Sequence, residues 1–199
     1  MPLKNQQLPL FEASEPLPAK YRLFLGIFPD AEAVELICDQ QTTLSEKFGL
    51  RGKFRPRKIL HVTMHHIDDY AEMPERIIET ATEACEAAFA GQSSPIVTFD
   101  HVMSFAGRPG NLPFVLVNPN GNQSLIELHR RLITELVKRR LASRGDFKFD
   151  PHVTLLYDAQ NVPKQPVSPI TWRAHEVILV LSHLGETRYD RLRCWALTE

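Results

Sequence analysis

The sequence predicts an α+β fold, and three observations support this prediction. The chain has 199 residues, of which 43% are apolar, enough to bury the core of one domain or of two small lobes. Hydrophobic periodicity indicates three helices and seven strands. Two strands follow one another in the middle of the chain and three at its end, so the regular alternation of a doubly wound sheet is missing.

The first half of the chain begins with a strand at residues 21–28, where the sequence YRLFLGIF is rich in aromatic and aliphatic residues. A helix over residues 31–48 keeps the period of about 3.6 residues and ends at Gly49. A cationic segment then leads into a strand over 59–67, and a second helix is predicted over 73–89.

The second half contains one helix, over residues 121–142, with an apolar stripe of leucines. Its strands are predicted at 95–105, 112–118, 151–157, 175–184 and 188–198. The first two of these strands are joined by the turn sequence AGRPGN, and a proline-rich segment after the third is interpreted as a loop.

Composition excludes several classes of protein. With 23 basic and 24 acidic residues, the chain is unsuited to indiscriminate coating of nucleic acid. The three cysteines are widely spaced without a C-x-x-C motif, which argues against a disulfide framework and favours a reducing cytoplasm. No apolar run reaches the roughly 18 residues of a membrane-spanning helix. Residues 1–19 lack the layout of a signal peptide and are interpreted as a loosely ordered arm before a single domain over 20–199.

One short motif occurs twice, nearly half the chain apart. Residues 61–64 are His-Val-Thr-Met and residues 152–155 are His-Val-Thr-Leu, and each copy follows a helix and a cationic stretch. Side chains alternate along a strand, so the His and Thr of each copy project from one face. If two duplicated halves pack about a pseudo-twofold axis, both imidazoles and both hydroxyls line one cleft.

Two opposed histidines suit phosphodiester chemistry without a metal ion. One neutral imidazole removes a proton from the attacking oxygen, and one imidazolium protonates the leaving oxygen. The ordinary histidine pKa of about 6.5 makes both forms accessible near neutral pH. Threonine hydroxyls donate hydrogen bonds to phosphate oxygens, and nearby arginines add charge-assisted bonds. A coincidental pair of strand motifs, or a decayed structural repeat, is the alternative.

The paired motifs resemble the HxTx signatures of the two-histidine phosphoesterase superfamily, and within it the 2′-5′ RNA ligase family of bacterial RNA 2′,3′-cyclic phosphodiesterases. The resemblance extends from about Tyr21 to Leu197 and includes the segments RLFLGIFPD, PRKILHVTM, SFAGRPGNLPFVL, FKFDPHVTLL and LSHLGETRYDRLRCWAL. It implies a bilobal fold of two antiparallel sheets flanked by helices, with a central cleft. The implied activity opens a 2′,3′-cyclic phosphate to a 2′-phosphate without a cofactor, and joins or cleaves 2′-5′ RNA linkages as a related reaction.

The resemblance also implies roles for four residues. His61 would be the proton donor and His152 the proton acceptor, with Thr63 and Thr154 holding the phosphate, and reversal of the reaction exchanges donor and acceptor. Many relatives carry an arginine where this chain has Tyr157, so that contact differs here.

Further candidate substrate contacts lie beside the motifs. Arg55 and Arg57 belong to a basic run just before the first motif, where phosphate contact is expected and a solvated loop is the alternative. Strand alternation predicts that His65 shares the face of His61, while His66 faces the core. Tyr157 is expected either to bond a phosphate or to pack.

The sequence is also compatible with other functions. Zinc binding by the histidines around His61 is a less favoured interpretation, because no cysteine accompanies them and neighbouring residues of a strand point to opposite faces. The same cleft would also suit a small cyclic nucleotide, ADP-ribose cyclic phosphate or 2′,5′-oligoadenylate, or a noncatalytic module that binds RNA ends. The favoured partner is RNA with a 2′,3′-cyclic phosphate or a 2′-5′ linkage, bound by a monomer without a membrane or metal.

Overall fold

The computed structural model describes residues 17–199 and contains one eight-stranded antiparallel sheet. Its strands are β1 Tyr21–Ile27, β2 Val62–Tyr70, β3 Ile96–Ser104, β4 Leu112–Val117, β5 His152–Asp158, β6 Gln165–Arg173, β7 Glu176–His183 and β8 Arg188–Ala196. In space they follow the order β6-β3-β4-β5-β2-β1-β7-β8. The predicted α+β class is confirmed.

Within these described residues, three helices accompany the sheet: α1 Ala31–Phe48, α2 Glu75–Phe89 and α3 Gln123–Lys138. The bounds of α1 agree with the sequence prediction because both ends carry strong signals. Asp30 caps the first turn by accepting from the Ala33 N–H, and Gly49 adopts a left-handed conformation at the C-terminus. The other two helices are shorter than predicted.

The prediction of two separate sheets is wrong. The four strands β6, β3, β4 and β5 join the four strands β2, β1, β7 and β8 in one sheet, through the residue pair Val62 and Val153 at its centre. These two valines lie within the two copies of the repeated motif, so the junction brings the copies side by side. The pseudo-twofold axis between the halves stays a prediction.

Side-chain alternation separates the two faces of the sheet. Leu23 and Leu25 of β1 belong to a large core cluster that includes residues from all three helices. Phe24 lies between them in the chain and belongs instead to a small cluster with Ile178 and Val180. Since neighbouring strand residues point to opposite faces, the helices cover one face and leave the motif histidines on the other.

The segment interpreted as a proline-rich loop contains the strand β6. Pro166 and Pro169 lie within it, and a proline cannot donate to a sheet ladder. The strand tolerates them because it forms an edge of the sheet and pairs only with β3 among the described strands.

The predicted N-terminal arm lies largely outside the described residues, since 1–16 are not among them. Over residues 17–199, no helix is long and apolar enough to cross a membrane.

Candidate active site

Each copy of the repeated motif ends at a β-bulge. In β2, Thr63 pairs with Gly26 and His65 with Leu25, which leaves Met64 between them without a partner. In β5, Thr154 pairs with Val115 and Leu156 with Phe114, so Leu155 is the unpaired residue. A bulge adds one residue to one strand and thereby reverses the faces of those that follow.

The bulges correct two sequence predictions. His65 turns away from the face of His61, is 8% exposed and lies with its Nε2 3.2 Å from the Leu141 carbonyl oxygen. His66, which was expected to face the core, lines the cleft instead. Tyr157 occupies the matching position in β5 and lines the cleft as well.

The ring of His61 is held on two sides. Its Nδ1 lies 2.7 Å from the Ile59 carbonyl oxygen, which only accepts, so Nδ1 carries the proton. Its Nε2 is then the acceptor in the neutral form and lies 3.0 Å from the Thr63 hydroxyl. The rings of Phe24 and Tyr189 pack against the imidazole, with centroids at 4.9 and 5.6 Å.

The ring of His152 is held in the same way. Its Nδ1 donates to the carbonyl oxygen of Asp150 at 2.8 Å, again two residues earlier in the chain. The Phe105 ring packs edge-on against it at 5.0 Å between centroids. Both histidines therefore keep Nε2 available for proton transfer.

Burial sets the protonation state of His61. The pKa of His61 is lowered from 6.5 to about 4, chiefly because burial disfavours the charged form. The nearby charges of Arg55 and His152 lower it further, while the hydrogen bond to Ile59 opposes the shift. His61 is thus neutral at pH 7 when the cleft is empty of anions.

The two histidines and the two threonines share one recess of about 360 Å³. Its lining residues are Arg22, Phe24, Arg55, Ile59, His61, Thr63, His66, His152, Thr154, Tyr157 and Tyr189. Among the residues that the structure describes, this lining includes two arginines and no carboxylate. A recess with this lining attracts anions and offers hydrogen-bond donors to them.

An ion network forms one side of this recess. Arg22 donates from Nε and Nη2 to the two carboxylate oxygens of Asp69, each at 2.7 Å, and His66 Nε2 lies 3.0 Å from the same carboxylate. The Arg22 guanidinium holds the pKa of Asp69 at about 2, helped by His66. Asp69 thereby orients two side chains that line the recess.

Three lining residues were not predicted from the sequence, namely Arg22, Phe24 and Tyr189. A signal for the first two was present, because alternation within the first strand places Arg22 and Phe24 on the same face, opposite Leu23 and Leu25. Tyr189 lies on β8, which pairs with β7, and β7 pairs with β1. The pairing of β7 with β1 joins distant parts of the chain and could not be deduced from local pattern.

The two candidate arginines of the basic run separate in the structure. Arg55 lines the recess, and its Nη2 lies 3.4 Å from the Tyr189 hydroxyl. Arg57 forms an ion pair with Glu35 on α1 and is not among the lining residues. The prediction that Arg57 contacts substrate is therefore not supported by its position.

A buried glutamine of α1 positions Arg55. The Gln41 side chain is 2% exposed, and its amide donates to the carbonyl oxygens of Arg55 and Leu155, at 3.1 and 2.8 Å. The Arg55 N–H donates to the Leu155 carbonyl as well, at 2.8 Å. The basic segment is thus attached to the bulge of β5.

His129 of α3 lies near the other motif. Its side chain is buried, and the Met64 carbonyl, at the bulged residue of β2, opposes the lowering of its pKa by burial. Phe149 stacks on the His129 ring at 4.0 Å between centroids. A polar side chain of a helix thus lies beside each bulge, and that of Gln41 donates to the Leu155 carbonyl.

No group of three or more His, Cys, Asp or Glu side chains within residues 17–199 is arranged to hold a metal ion. The potential metal ligands closest to His61 in the sequence are His65 and His66. These two side chains point to opposite faces of β2.

Comparisons with known proteins agree with the fold and with the motifs. Residues 39–186 match the family model of the 2′-5′ RNA ligase superfamily. The structure of E. coli LigT in apo form is similar, with 24% identity and a TM-score of 0.66, over 92% of this chain and 100% of LigT. The structure of E. coli LigT complexed with NADP+ is also similar, with 22% identity and a TM-score of 0.68, over 92% of this chain and 100% of LigT.

A further similar structure is TT0787 of Thermus thermophilus. It has 19% identity and a TM-score of 0.67, over 88% of this chain and 97% of TT0787. No curated protein sequence is significantly similar to the chain. At these identities the solved structures show a shared fold.

The two motifs, on neighbouring strands that line one cleft, together with this fold are those of the two-histidine phosphoesterase superfamily. The family match covers well over half of the chain, from residue 39 to residue 186. The chain therefore belongs to the 2′-5′ RNA ligase superfamily, which supports an activity of the phosphoesterase or 2′-5′ RNA ligase type.

Proposed function

We propose that the protein hydrolyses RNA ends that carry a 2′,3′-cyclic phosphate to 2′-phosphate ends, without a metal or cofactor. The observation that most directly supports this is the pair of imidazoles in one anion-attracting recess, each with Nδ1 bonded to a carbonyl and Nε2 available. General acid and general base catalysis need these two groups and no other titrating residue.

The proposed reaction is an attack of water on the cyclic phosphate. His152 accepts the water proton at Nε2 while the water oxygen bonds to phosphorus. The bond between phosphorus and the 3′ oxygen breaks, and His61 donates its Nε2 proton to that oxygen. The 2′ oxygen keeps the phosphate.

His61 must take up a proton before it can donate one. Its pKa of about 4 in the free protein reflects burial and nearby positive charge. A bound phosphate anion offsets the nearby positive charge and raises the pKa of His61. Substrate binding thus favours the protonated form of His61, because the negative charge of the phosphate stabilises an imidazolium in the cleft.

Thr63, Thr154 and Arg55 bind the phosphate in this proposal. The two hydroxyls line the recess on adjacent strands, and Arg55 is held there by Gln41 and by its own N–H. Donors fixed in this way stabilise charge that redistributes over the phosphate oxygens in the transition state. Tyr157 adds a phenol where many relatives carry an arginine.

The same groups support the joining and cleavage of 2′-5′ linkages. When a 5′-hydroxyl replaces water as the nucleophile, the cyclic phosphate becomes a 2′-5′ diester, and the reverse reaction exchanges the roles of the two histidines. A monomeric state and a cytoplasmic location stay predictions.

The test is turnover of a short RNA that ends in a 2′,3′-cyclic phosphate, in the presence of EDTA. The expected product is the 2′-phosphate, identified by chromatography against both synthetic isomers. A 3′-phosphate product would contradict the proposed bond cleavage. Turnover restricted to 2′,3′-cyclic mononucleotides or 2′,5′-oligoadenylate would show that one of these, and not an RNA end, is the substrate. Binding without turnover would indicate a noncatalytic module.

A leaving-group experiment tests which histidine is the acid. A diester with a p-nitrophenolate leaving group needs no proton on that group, so His61→Ala should retain most activity on it. His152→Ala should lose activity on this substrate as well, because the attacking water still needs a base. The opposite pattern would assign the acid role to His152.

A further inference from the structure

The catalytic recess continues into two neighbouring recesses. The second, of about 320 Å³, and the third, of about 540 Å³, both include Arg55 and Tyr157 in their walls, as the catalytic recess does. Of the described residues that line these three recesses, none is acidic. Since the three recesses share Arg55 and Tyr157, they form one groove.

The third recess combines cations with exposed aromatic rings. Lys53 and Lys58 line it beside Arg55. Phe54 is 39% exposed and Tyr157 is 42% exposed, and both lie in the same wall. Cations that contact a backbone, with aromatic rings on which bases stack, are the combination by which proteins bind single-stranded nucleic acid.

The segment that carries Lys53 and Phe54 is held at both ends. On one side, the Asp158 carboxylate accepts from the N–H groups of Arg51 and Gly52, at 2.6 and 2.7 Å. On the other side, Gln41 and the Leu155 carbonyl hold Arg55. This segment is therefore ordered against β5 before any ligand binds, which lowers the entropic cost of binding.

We propose that this third recess is a second nucleotide subsite, which binds the nucleotide preceding the one with the cyclic phosphate. Lys53 and Lys58 contact the phosphodiester that links the two nucleotides, and Phe54 stacks on the preceding base. The subsite makes a polynucleotide end a better substrate than a cyclic mononucleotide. This inference rests on the proposed function, because the groove begins at the catalytic histidines.

The experiment compares 2′,3′-cyclic AMP with a short oligoadenylate ending in a 2′,3′-cyclic phosphate. The double variant Lys53→Ala/Lys58→Ala and the variant Phe54→Ala should each lower kcat/KM for the oligoadenylate by about tenfold, the equivalent of one stacked base or a few phosphate contacts. Both variants should leave kcat/KM for 2′,3′-cyclic AMP unchanged. Lys47→Ala/Lys138→Ala removes the same charge outside the groove and should affect neither substrate.

A binding measurement completes the test without turnover. Fluorescence anisotropy of a labelled oligoadenylate with a 3′-phosphate should show weaker binding and a smaller salt dependence for the double-lysine variant than for its control. Equal binding by both, or an equal loss of activity on both substrates, would overturn the subsite. If the wild type turned over neither substrate, the proposed function would fail, and the anisotropy result alone would decide on the groove.

Discussion

His61 and His152 hold their imidazole rings by the same hydrogen bond. Each Nδ1 donates to the carbonyl oxygen of the residue two positions earlier, at 2.7 Å for His61 and 2.8 Å for His152. Each histidine also precedes a Thr and a bulged residue on its strand. The two halves of the chain thus build the same local arrangement twice and present the Nε2 atoms of both histidines to one cleft.

The first prediction concerns the pKa of His61. In the free protein an NMR titration of the imidazole should give a value of about 4, because burial and the charges of Arg55 and His152 disfavour the imidazolium. Addition of inorganic phosphate should raise this pKa. The spectrum of His61→Ala assigns the signal, and an ordinary pKa of about 6.5 without phosphate would contradict the account of the cleft.

The second prediction concerns Gln41. In Gln41→Leu two buried carbonyl groups lose a donor, so the free energy of unfolding should fall by about 1–3 kcal/mol in urea titrations. Gln40→Leu makes the same change at the next position of α1, where the side chain is only partly buried, and serves as control. Equal stability of the two variants would show that Gln41 does not hold the basic segment.

The third prediction concerns the pH dependence of stability. The pKa of His129 is lowered from 6.5 to about 4 by burial, with a further contribution from His65 and an opposing one from Asp146. Between these two pH values the unfolded chain binds a proton that the folded chain does not. His129 therefore contributes stability that is complete above about pH 6.5 and is lost as the pH falls through 4.

His129→Gln tests this contribution. Glutamine is a polar side chain of similar size, but it does not titrate. Urea titrations between pH 7 and pH 4 should show a smaller loss of stability than in the wild type, by at most about 3 kcal/mol. An identical pH profile would mean that the His129 pKa is not depressed by folding.

The fourth prediction concerns the close approach of the basic segment to β5. A Cβ atom on Gly52 would overlap the Tyr157 carbonyl oxygen, so Gly52→Ala should destabilise the fold by about 1–3 kcal/mol. At Gly145 the nearest atom to an added Cβ is 3.6 Å away, and Gly145→Ala should be tolerated. Thermal unfolding of both variants checks the contrast, and a stable Gly52→Ala would contradict the described path of the segment.

The sequence predicted the helices and most strands because their periodicity and caps are local signals. It also predicted the paired His and Thr residues, since a repeated motif needs no knowledge of the fold. The strand β6 was missed because Pro166 and Pro169 suit an edge strand as well as a loop. The order of the strands in space depends on contacts between distant parts of the chain. The single sheet could therefore not be predicted from local patterns.

The errors around the site have one main physical cause. The faces of His65 and His66 were predicted by uninterrupted alternation, and the bulge at Met64 exchanges them. Whether a bulge occurs depends on the partner strand, which a local pattern does not contain. Arg57 was proposed from its position in a basic run, and its contact with substrate stays a prediction, because its ion pair with Glu35 depends on the packing of α1.

The central claim is that His61 and His152 both act on the substrate, and the most direct test is the activity of their alanine variants. With RNA ending in a 2′,3′-cyclic phosphate, kcat/KM of each variant should fall roughly 10²–10⁴-fold, the usual contribution of a general acid or base. His175→Ala removes an exposed histidine outside the cleft and should retain wild-type activity. Wild-type activity in either His61→Ala or His152→Ala would contradict the two-histidine mechanism.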